Sequence, residues 1–278
     1  MISALLKISL FKRLIPSLSI KILKLLKKNR GYFNIKNTIM FLDFLDPIDR
    51  EIILSQEFEK LEFNFLKTQI KNHKINNFLD VGANCGYYSI FIAKEISDIN
   101  IFSFEPNKEA YLKFKKTLKV NPKLSKKIKL RNFGLSNTSN QLEMQSMVKH
   151  GYSQTGGSSI IQDNKYKNFK TFFAQFKIGD ECIKLNNKII AVKIDVERHE
   201  INVLQGLKEL LQNNKIILQI EIVDNNFDVV HNFLKSFGYQ SIISIKERSN
   251  YFYSNIIWNC FGGENGIRTH ERIAPLHA

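Results

Sequence analysis

Short apolar runs alternate with longer amphipathic segments through the middle of this chain. Apolar runs of about four to eight residues are typical of buried strands, whereas apolar residues spaced three and four apart are typical of helices. The pattern predicts strands over 78–81, 99–104, 128–132, 189–195 and 216–223. It predicts helices over 87–96, 107–119 and 227–237, and a further helix through Val203, Leu204, Leu207 and Leu211. Regular alternation of this kind predicts a parallel sheet.

Two more strand-like runs, 241–245 and 251–258, lie close enough in the sequence to pair as a hairpin. They bring the expected total to seven strands and make the last strand antiparallel to the others. We therefore expect a Rossmann-like α/β fold, in which a doubly wound, mostly parallel sheet of seven strands has an antiparallel last strand.

Three segments lie outside this alternation. Residues 1–56 are expected to form a basic, helical N-terminal extension and lead-in, and helical spacing over 50–66 predicts a helix that packs beside the ligand site. Between Ser136 and Lys177 the periodicity weakens and glycines appear, which predicts a long excursion with either irregular backbone or hairpin strands. The main domain should cover 57–261. Residues 262–278 have no periodicity, and we expect a disordered tail there.

The junction between the first strand and its helix has the spacing Asp80-x-Gly82-x-x-x-Gly86. Glycines permit positive φ in a tight loop, and nucleotides bind at strand–loop–helix junctions of parallel sheets. The loop lacks the Gly-x-Gly-x-x-Gly pattern that cradles a pyrophosphate. An acid at the strand end suits a ligand with a positive amino group instead. S-adenosylmethionine, which carries an ammonium and a sulfonium, meets that requirement.

A second acid supports the same ligand. Glu105 closes the next apolar run, nineteen residues beyond Gly86, where a carboxylate can accept hydrogen bonds from both ribose hydroxyls. The alternative, a purely structural strand-to-helix turn, is weakened by this second acid but stays open.

Charge is concentrated at the N-terminus. The 278 residues carry a net charge of +15, and eight basic residues but no acidic one lie within the first thirty. Helical positions from Ile20 to Lys28 place lysines on one face and apolar residues on the other, as in helices that lie on anionic membranes. A helix packed on its own domain with a solvated lysine face explains the pattern equally well.

The cellular compartment is predicted from the absence of a membrane-spanning run, a secretion signal and paired cysteines in the sequence. The N-terminal segment has no apolar run near the roughly 20 residues that span a bilayer, and it does not match a secretion signal. Cys85, Cys182 and Cys260 match no paired metal or redox spacing, which favours reduced thiols. We expect a cytoplasmic protein that contacts the inner face of the membrane, if any, through residues 1–30.

Four sequence blocks, taken in order, resemble the FkbM family of class I S-adenosylmethionine-dependent methyltransferases. The blocks are 78–89, Phe104-Glu-Pro106, Val192-Lys-Ile-Asp-Val-Glu-Arg-His-Glu200 and Leu204-Gln-Gly206, and the resemblance covers about 57–258. It implies that 57–261 is the methyltransferase domain. One departure is that Arg198 stands where the family usually has glycine, which puts activity or acceptor choice in doubt.

The resemblance also implies a set of cofactor-binding residues. Those lining the methionine end are Asp80, Gly82, Ala83, Asn84 and Gly86. Glu105 would hold the ribose. Ser136, which ends the segment after the third strand, would lie near the adenine by analogy with the fold.

Methyl transfer from a sulfonium is a direct displacement, so a hydroxyl acceptor needs alignment and a base. Candidate catalytic residues are Asp195, Glu197 and His199, although His199 and its acidic neighbours also suit the start of a helix. Glu221 is interpreted either as a site carboxylate or as a buried ion-pair partner. Asp195 with Glu221 or Asp224 matches no defined metal motif, and we expect no metal.

The acceptor class is narrowed by absent motifs. The chain lacks the Asn/Asp-Pro-Pro-aromatic block typical of base-nitrogen methylation and the Pro-Cys nucleophile of pyrimidine methylation. We therefore expect O-methylation of a hydroxyl on a small molecule or glycan. An RNA methyltransferase is the alternative, because basic residues run from Lys113 to Arg131, but aromatic residues are not interleaved with them as a base-stacking platform requires. A non-catalytic cofactor-binding or membrane-associated protein is the third interpretation. The oligomeric state is open.

Overall fold

A computed structural model describes residues 29–149, 152–161, 168–223, 226–245 and 249–256. The predicted helix over 20–28, the tail over 262–278, Asp224 and Cys260 lie outside these residues. The strands are β1 (Arg30–Ile35), β2 (Thr38–Asp43), β3 (Asn77–Val81), β4 (Asn100–Phe104), β5 (Ile128–Arg131), β6 (Gly134–Ser136), β7 (Asn140–Lys149), β8 (Tyr152–Ser153), β9 (Ser159–Ile160), β10 (Phe169–Ile178), β11 (Ile189–Ile194), β12 (Lys215–Glu221), β13 (Gln240–Ile245) and β14 (Asn250–Ser254).

The helices cover and connect these strands. They are α1 (Pro47–Ser55), α2 (Lys60–Asn72), α3 (Tyr87–Glu95), α4 (Lys108–Val120), α5 (Pro122–Ser125), α6 (Gly179–Cys182), α7 (Glu200–Gly206), α8 (Lys208–Asn213) and α9 (Phe227–Ser236). The helix predicted through Val203 and Leu211 is therefore two helices, which meet at Leu207.

The central sheet has the strand order β13-β14-β12-β11-β3-β4-β5. Strands β12, β11, β3, β4 and β5 run parallel, whereas β14 is antiparallel to both of its neighbours. The prediction of a seven-stranded, mostly parallel sheet with an antiparallel last strand is confirmed. Reversal of the strand order beside β3 leaves the crevice in which open α/β sheets bind ligands.

The two faces of this sheet differ in polarity. On one face Leu79, Val192 and Leu218 are in register on neighbouring strands and fully buried, as expected for an apolar core. On the other face a row of polar side chains crosses the sheet. This row consists of Ser103, Asp80, Lys193 and Gln219, all buried. Buried polar groups need partners, so this row marks a candidate site within the core.

The lead-in differs from the prediction in two ways. Residues 30–43 form the antiparallel hairpin β1–β2, which the sequence analysis did not predict. The single helix predicted over 50–66 is wrong, because the chain forms α1 and α2 with a break between them. Gln56 and Glu59 adopt left-handed backbone conformations at the break, with φ of +62° and +45°, which no α-helix accommodates. The expected packing beside the site is found, since Ile48 and Phe58 line the cleft.

The excursion between Ser136 and Lys177 forms a second sheet. Strands β7 and β10 make a long antiparallel hairpin, β6 pairs with β10 in parallel, and β8 and β9 pair with β7. The prediction of hairpin strands is confirmed. A 3-10 turn over Thr155–Gly157 brings this insertion back onto the cleft.

Candidate functional site

A cleft lies at the carboxyl ends of β3, β4 and β11 and encloses about 850 Å³, part of which is open to solvent. Of the residues predicted for the site, those that line the cleft are Asp80, Gly82, Ala83, Asn84, Glu105, Asp195, Glu197 and His199.

The two glycines of the β3–α3 loop are required by the protein's own packing. Gly82 and Gly86 have φ of +86° and +88°, as predicted for a tight turn. A Cβ on Gly82 would lie 1.8 Å from the carbonyl oxygen of Asp195, and one on Gly86 would lie 2.3 Å from the Phe114 ring. The loop therefore brings the ends of β3 and β11 into direct backbone contact. Gly86 is not among the residues that line the cleft, so it contributes to the site only through the shape of the loop.

The amides of this loop are already used. Gly82 and Ala83 both donate to the carbonyl of Phe104 at 3.0 Å, and the amide of Asn84 donates to Glu105 Oε2 at 2.7 Å. These three amides are therefore not available to a ligand. Recognition at this end of the cleft falls to side chains and to the shape of the loop.

Glu105 is fixed by two backbone amides. Asn84 holds one carboxylate oxygen, and the amide of Asn107 donates to Oε1 at 2.8 Å. Burial raises the pKa of Glu105 to about 7, although both hydrogen bonds oppose the shift. Each oxygen can accept a further hydrogen bond, as two ribose hydroxyls require.

Asp80 is 1% exposed and accepts a hydrogen bond from Ser89 Oγ at 2.5 Å. Ser89 in turn lies 2.7 Å from Ser103 Oγ. Burial raises the pKa of Asp80 overall, although Lys193 and the hydrogen bond from Ser89 oppose the shift. Asp80 is therefore a carboxylate held rigidly in the floor of the cleft.

The far end of the cleft is apolar. Its wall is formed by Pro106, Leu135, Met144, Ile160 and Phe176, of which the last four come from the second sheet. Ser136, predicted to lie near the adenine, is 1% exposed and bonds to His199 Nε2 at 3.0 Å. Gly134 and Leu135 line the cleft in its place, and contact between Ser136 and a cofactor stays a prediction.

Lys193 is a buried cation in the same cleft, and the sequence analysis missed it. Its side chain is 5% exposed, and its Nζ lies 2.7 Å from Asp195 Oδ2 and 4.8 Å from the centroid of the Tyr88 ring. Burial lowers the pKa of Lys193, but Asp195, Glu59 and Asp80 outweigh it and raise the pKa overall. The available signal was a lysine inside an otherwise apolar strand that is buried on both faces.

Asp195 and Glu221 form a carboxyl pair. Burial raises the pKa of Asp195, but Lys193 and a hydrogen bond with Glu221 lower it overall. The pKa of Glu221 is raised by burial, by the charge of Asp195 and by the same hydrogen bond. Of the two interpretations of Glu221, the site carboxylate fits, because its partner is another carboxylate.

Glu59 joins this pair from the break between α1 and α2. Its Oε2 accepts a hydrogen bond from Tyr88 OH at 2.8 Å, and oxygens of Glu59, Asp195 and Glu221 all lie within 4.8 Å of one another. Three such oxygens can hold a divalent ion. Here the hydroxyl of Tyr88 already donates to Glu59, and the ammonium of Lys193 already pairs with Asp195. The expectation of no metal therefore stays an expectation.

The segment after β11 is strained. Glu197 and Arg198 have φ of +50° and +75°, and the exposed Arg198 occupies the position where the family usually has glycine. Burial raises the pKa of Glu197 to about 7, with the charges of Asp195 and Glu200 adding to the shift. Burial lowers the pKa of His199 to about 4. The three predicted catalytic residues thus lie in one cleft with different proton affinities.

The turn at Thr155 covers the β3–α3 loop. Thr155 Oγ1 lies 2.7 Å from Asp46 Oδ2 and 3.1 Å from Asn84 Oδ1, and its amide donates to Asp46 at 2.9 Å. Lys113 Nζ lies 2.7 Å from Asp49 and 3.0 Å from Thr155 Oγ1. Lys113 was predicted to belong to a solvated helix face, and this is wrong for Lys113, which anchors the turn. The second sheet is thereby fixed over the cleft.

Comparison with known proteins bears on this site. Part of the chain is 28% identical over 144 residues to the hexuronic acid methyltransferase AglP of Haloferax volcanii. The match covers 51% of this chain and 54% of AglP, so the chain spans about half the length of that curated relative.

Two solved structures resemble the chain at low sequence identity. One is the methyltransferase FkbM of Methylobacillus flagellatus KT, with 14% identity, a TM-score of 0.45 and coverage of 74% of this chain and 59% of that chain. The other is the precorrin-6y C5,15-methyltransferase of Geobacter metallireducens GS-15, with 12% identity, a TM-score of 0.42 and coverage of 71% and 88%.

The sequence pattern of a whole protein family covers the same elements as the cleft. The pattern of the methyltransferase FkbM domain matches residues 80–241, from Asp80 near the end of β3 to the second residue of β13. This is more than half of the chain, and it includes Asp80, Glu105, Lys193 and Asp195. The chain therefore belongs to the family defined by the methyltransferase FkbM domain.

Proposed function

We propose that this protein transfers the methyl group of S-adenosylmethionine to a hydroxyl of a sugar or a sugar-containing molecule. The observation that carries the proposal is the pair of buried carboxylates, Asp80 and Glu105, at the ends of neighbouring strands in a family of methyltransferases. The name of the relative AglP, a hexuronic acid methyltransferase, supports a sugar acid as the acceptor class.

The cleft suits each part of this cofactor. S-adenosylmethionine supplies an electrophilic methyl group when it is bound. Glu105 would accept hydrogen bonds from the ribose hydroxyls, and the apolar wall around Leu135 and Phe176 would cover the adenine. Asp80 and Asp195 give the opposite end a negative potential, which favours an ammonium and a sulfonium.

Among the three candidate bases, Glu197 is best suited to the reaction. A general base works best when its pKa lies near the operating pH, and burial raises the pKa of Glu197 to about 7. Asp195 is a weaker base because it is paired with Lys193. His199 has a pKa near 4, and its Nε2 is engaged by Ser136. We assign proton removal from the acceptor hydroxyl to Glu197.

The alternative RNA methyltransferase has less support from the basic run between Lys113 and Arg131. Lys113 is buried against Asp46 and Asp49. Lys127 donates to the carbonyls of Ala93 and Ile96 at 2.8 Å, where it caps the end of α3. Two of the basic residues thus serve the fold, and we favour the sugar acceptor.

The proposal is tested by incubating the full chain with methyl-labelled S-adenosylmethionine and matched oligosaccharides. One oligosaccharide contains glucuronic acid and its partner contains glucose. We expect label in the sugar fraction, with a preference for the acidic sugar and with a linkage stable to mild alkali, as an ether is. Alkali-labile label would identify a methyl ester and contradict the hydroxyl acceptor. Label in added RNA and in neither sugar would overturn the proposal.

Glu197→Gln provides the matched variant in the same assay. A hydroxyl acceptor must lose its proton, whereas a carboxylate acceptor is already ionised at neutral pH. Loss of transfer in Glu197→Gln with retained cofactor binding supports the hydroxyl acceptor. Full activity of this variant contradicts the assignment of Glu197 as the base.

A further inference from the structure

One surface, away from the reacting end of the cleft, combines exposed apolar side chains with lysines. It is formed by the β1–β2 hairpin and the outer side of α4, and we call it the hairpin–α4 surface. Its apolar members are exposed to unusual extents for their size, at 53% for Tyr32, 38% for Ile39, 43% for Leu112 and 40% for Val120. We propose that the hairpin–α4 surface docks on an anionic lipid bilayer.

The hairpin and α4 form one continuous surface. The rings of Tyr32 and Phe41 lie 5.1 Å apart on the outer side of the hairpin, and Lys116 Nζ lies 4.0 Å from the Phe41 centroid. At the next turn Asn121 Nδ2 donates to the carbonyl of Ile39 at 2.7 Å. Thr117 Oγ1 also accepts a hydrogen bond from the Phe41 amide at 2.9 Å. The apolar side chains are therefore presented in fixed positions.

The charges of this surface complement an anionic membrane. Besides Leu112 and Val120, the exposed positions of α4 are Lys108, Lys115, Lys116 and Lys119. The acid on the same helix, Glu109, is paired with Lys170 at 3.5 Å. Seven of the eight basic residues of the first thirty precede β1 in the sequence, and the eighth, Arg30, begins it. Each basic residue near an anionic bilayer adds to the attraction, and apolar side chains insert at the boundary between headgroups and acyl chains.

Lipid fits this surface better than two other occupants. RNA is bound through aromatic rings that stack on bases, but the Phe41 ring is covered by Lys116 and three of the exposed apolar side chains are aliphatic. A second copy of the chain would bring one set of lysines against another. An anionic bilayer satisfies both the lysines and the aliphatic side chains.

The test is co-sedimentation of the full chain with vesicles of phosphatidylcholine alone or with one quarter phosphatidylglycerol. We expect binding to the anionic vesicles that weakens strongly with added salt. Lys115→Gln, Lys116→Gln and Lys119→Gln, combined in one variant, should weaken binding by on the order of 100-fold, at roughly fivefold per lysine. The matched control changes the exposed lysines 184, 188 and 208 to glutamine and should bind like the parent.

A second pair of variants tests the apolar contribution. Leu112→Ser with Val120→Ser should reduce vesicle binding, while Phe173→Ser with Val229→Ser, at positions 65% and 55% exposed elsewhere, should not. Folding of all four variants is checked by circular dichroism. The proposal is overturned if both surface variants bind vesicles like the parent. It is also overturned if the three lysine changes abolish binding of single-stranded RNA while the parent ignores vesicles.

Discussion

Lys193 Nζ lies 2.7 Å from Asp195 Oδ2, and both residues belong to the same face at the end of β11. The cleft therefore contains its own cation, placed among carboxylates from four separate elements. Because Lys193 is buried and Asp195 is only partly exposed, each charge depends on the other to remain ionised. The pair determines which carboxyl group of the site is ionised. Lys193 keeps Asp195 ionised, and the charge of Asp195 favours a proton on Glu221.

Lys193→Met should destabilise the fold because it leaves Asp195 as a buried charge without its cation. Breaking a buried ion pair by removing one partner costs about 3–5 kcal/mol. Urea unfolding at pH 7 measures the loss of unfolding free energy. Lys188→Met, at an exposed position, is the control and should change stability by less than about 0.5 kcal/mol. Equal stability of the two variants would show that the Lys193–Asp195 pair contributes nothing.

Glu197→Gln should lower the rate of methyl transfer by about 10²–10⁴-fold, the usual contribution of a general base. In the parent the rate should rise with pH and level off above pH 7, because the pKa of Glu197 is about 7 and its ionised form is active. His199→Gln should keep this profile, because a histidine with a pKa near 4 is neutral throughout the range. If the pH dependence of the rate shifts in His199→Gln, the general base is His199 rather than Glu197.

Glu105 should make cofactor affinity depend on pH. Burial raises the pKa of Glu105 to about 7, so S-adenosylmethionine should bind more tightly at pH 8, where the ionised carboxylate accepts from the ribose, than at pH 6. Without the cofactor, the raised pKa of Glu105 stabilises the folded protein at low pH rather than at high pH. This contribution to the free energy of unfolding is complete below about pH 4.5 and is lost as the pH rises through about 7. Calorimetry on the parent and Glu105→Gln measures the affinities, and an equal pH dependence in both would exclude Glu105.

Arg198→Gly should stabilise the protein by roughly 1 kcal/mol. Arg198 has a φ of +75°, a conformation that costs most residues on the order of 1 kcal/mol and costs glycine little. Arg198→Ala removes the same side chain without relieving the backbone, so it separates the two effects. Urea unfolding of both variants tests this. The outcome against it is a gain of stability in Arg198→Ala, which would place the strain in the side chain.

The sheet could be predicted from the sequence because its strands are buried on both faces, so they appear as apolar runs between glycines and polar residues. Asp80, near the end of β3, and Glu105, directly after β4, could be predicted for the same reason, since each interrupts an apolar run at a defined place. The hairpin over 30–43 has an exposed face, and its alternation of apolar and polar residues is too weak to indicate strands.

Lys193 and Glu59 could not be assigned because their roles depend on tertiary contacts. The role of Lys193 depends on its position in register with Asp80 and Gln219 on the two neighbouring strands, which no local sequence pattern encodes. Glu59 reaches the site only because two left-handed residues, Gln56 at the end of α1 and Glu59 itself at the start of α2, break the helix there. The role of Lys113 also depends on tertiary contacts. Its helical spacing fits a solvated face, but its ammonium is buried against Asp49 of α1 and against Asp46, which precedes α1.

Binding of S-adenosylmethionine, measured by calorimetry at pH 8, tests the central claim most directly. The account predicts binding by the parent and its loss in Asp80→Asn, a nearly isosteric change that removes a charge from the floor of the cleft. Glu181→Gln, a change at an exposed acid, should bind like the parent. A folded parent that does not bind S-adenosylmethionine, or binding that survives Asp80→Asn unchanged, would contradict the placement of the cofactor in this cleft.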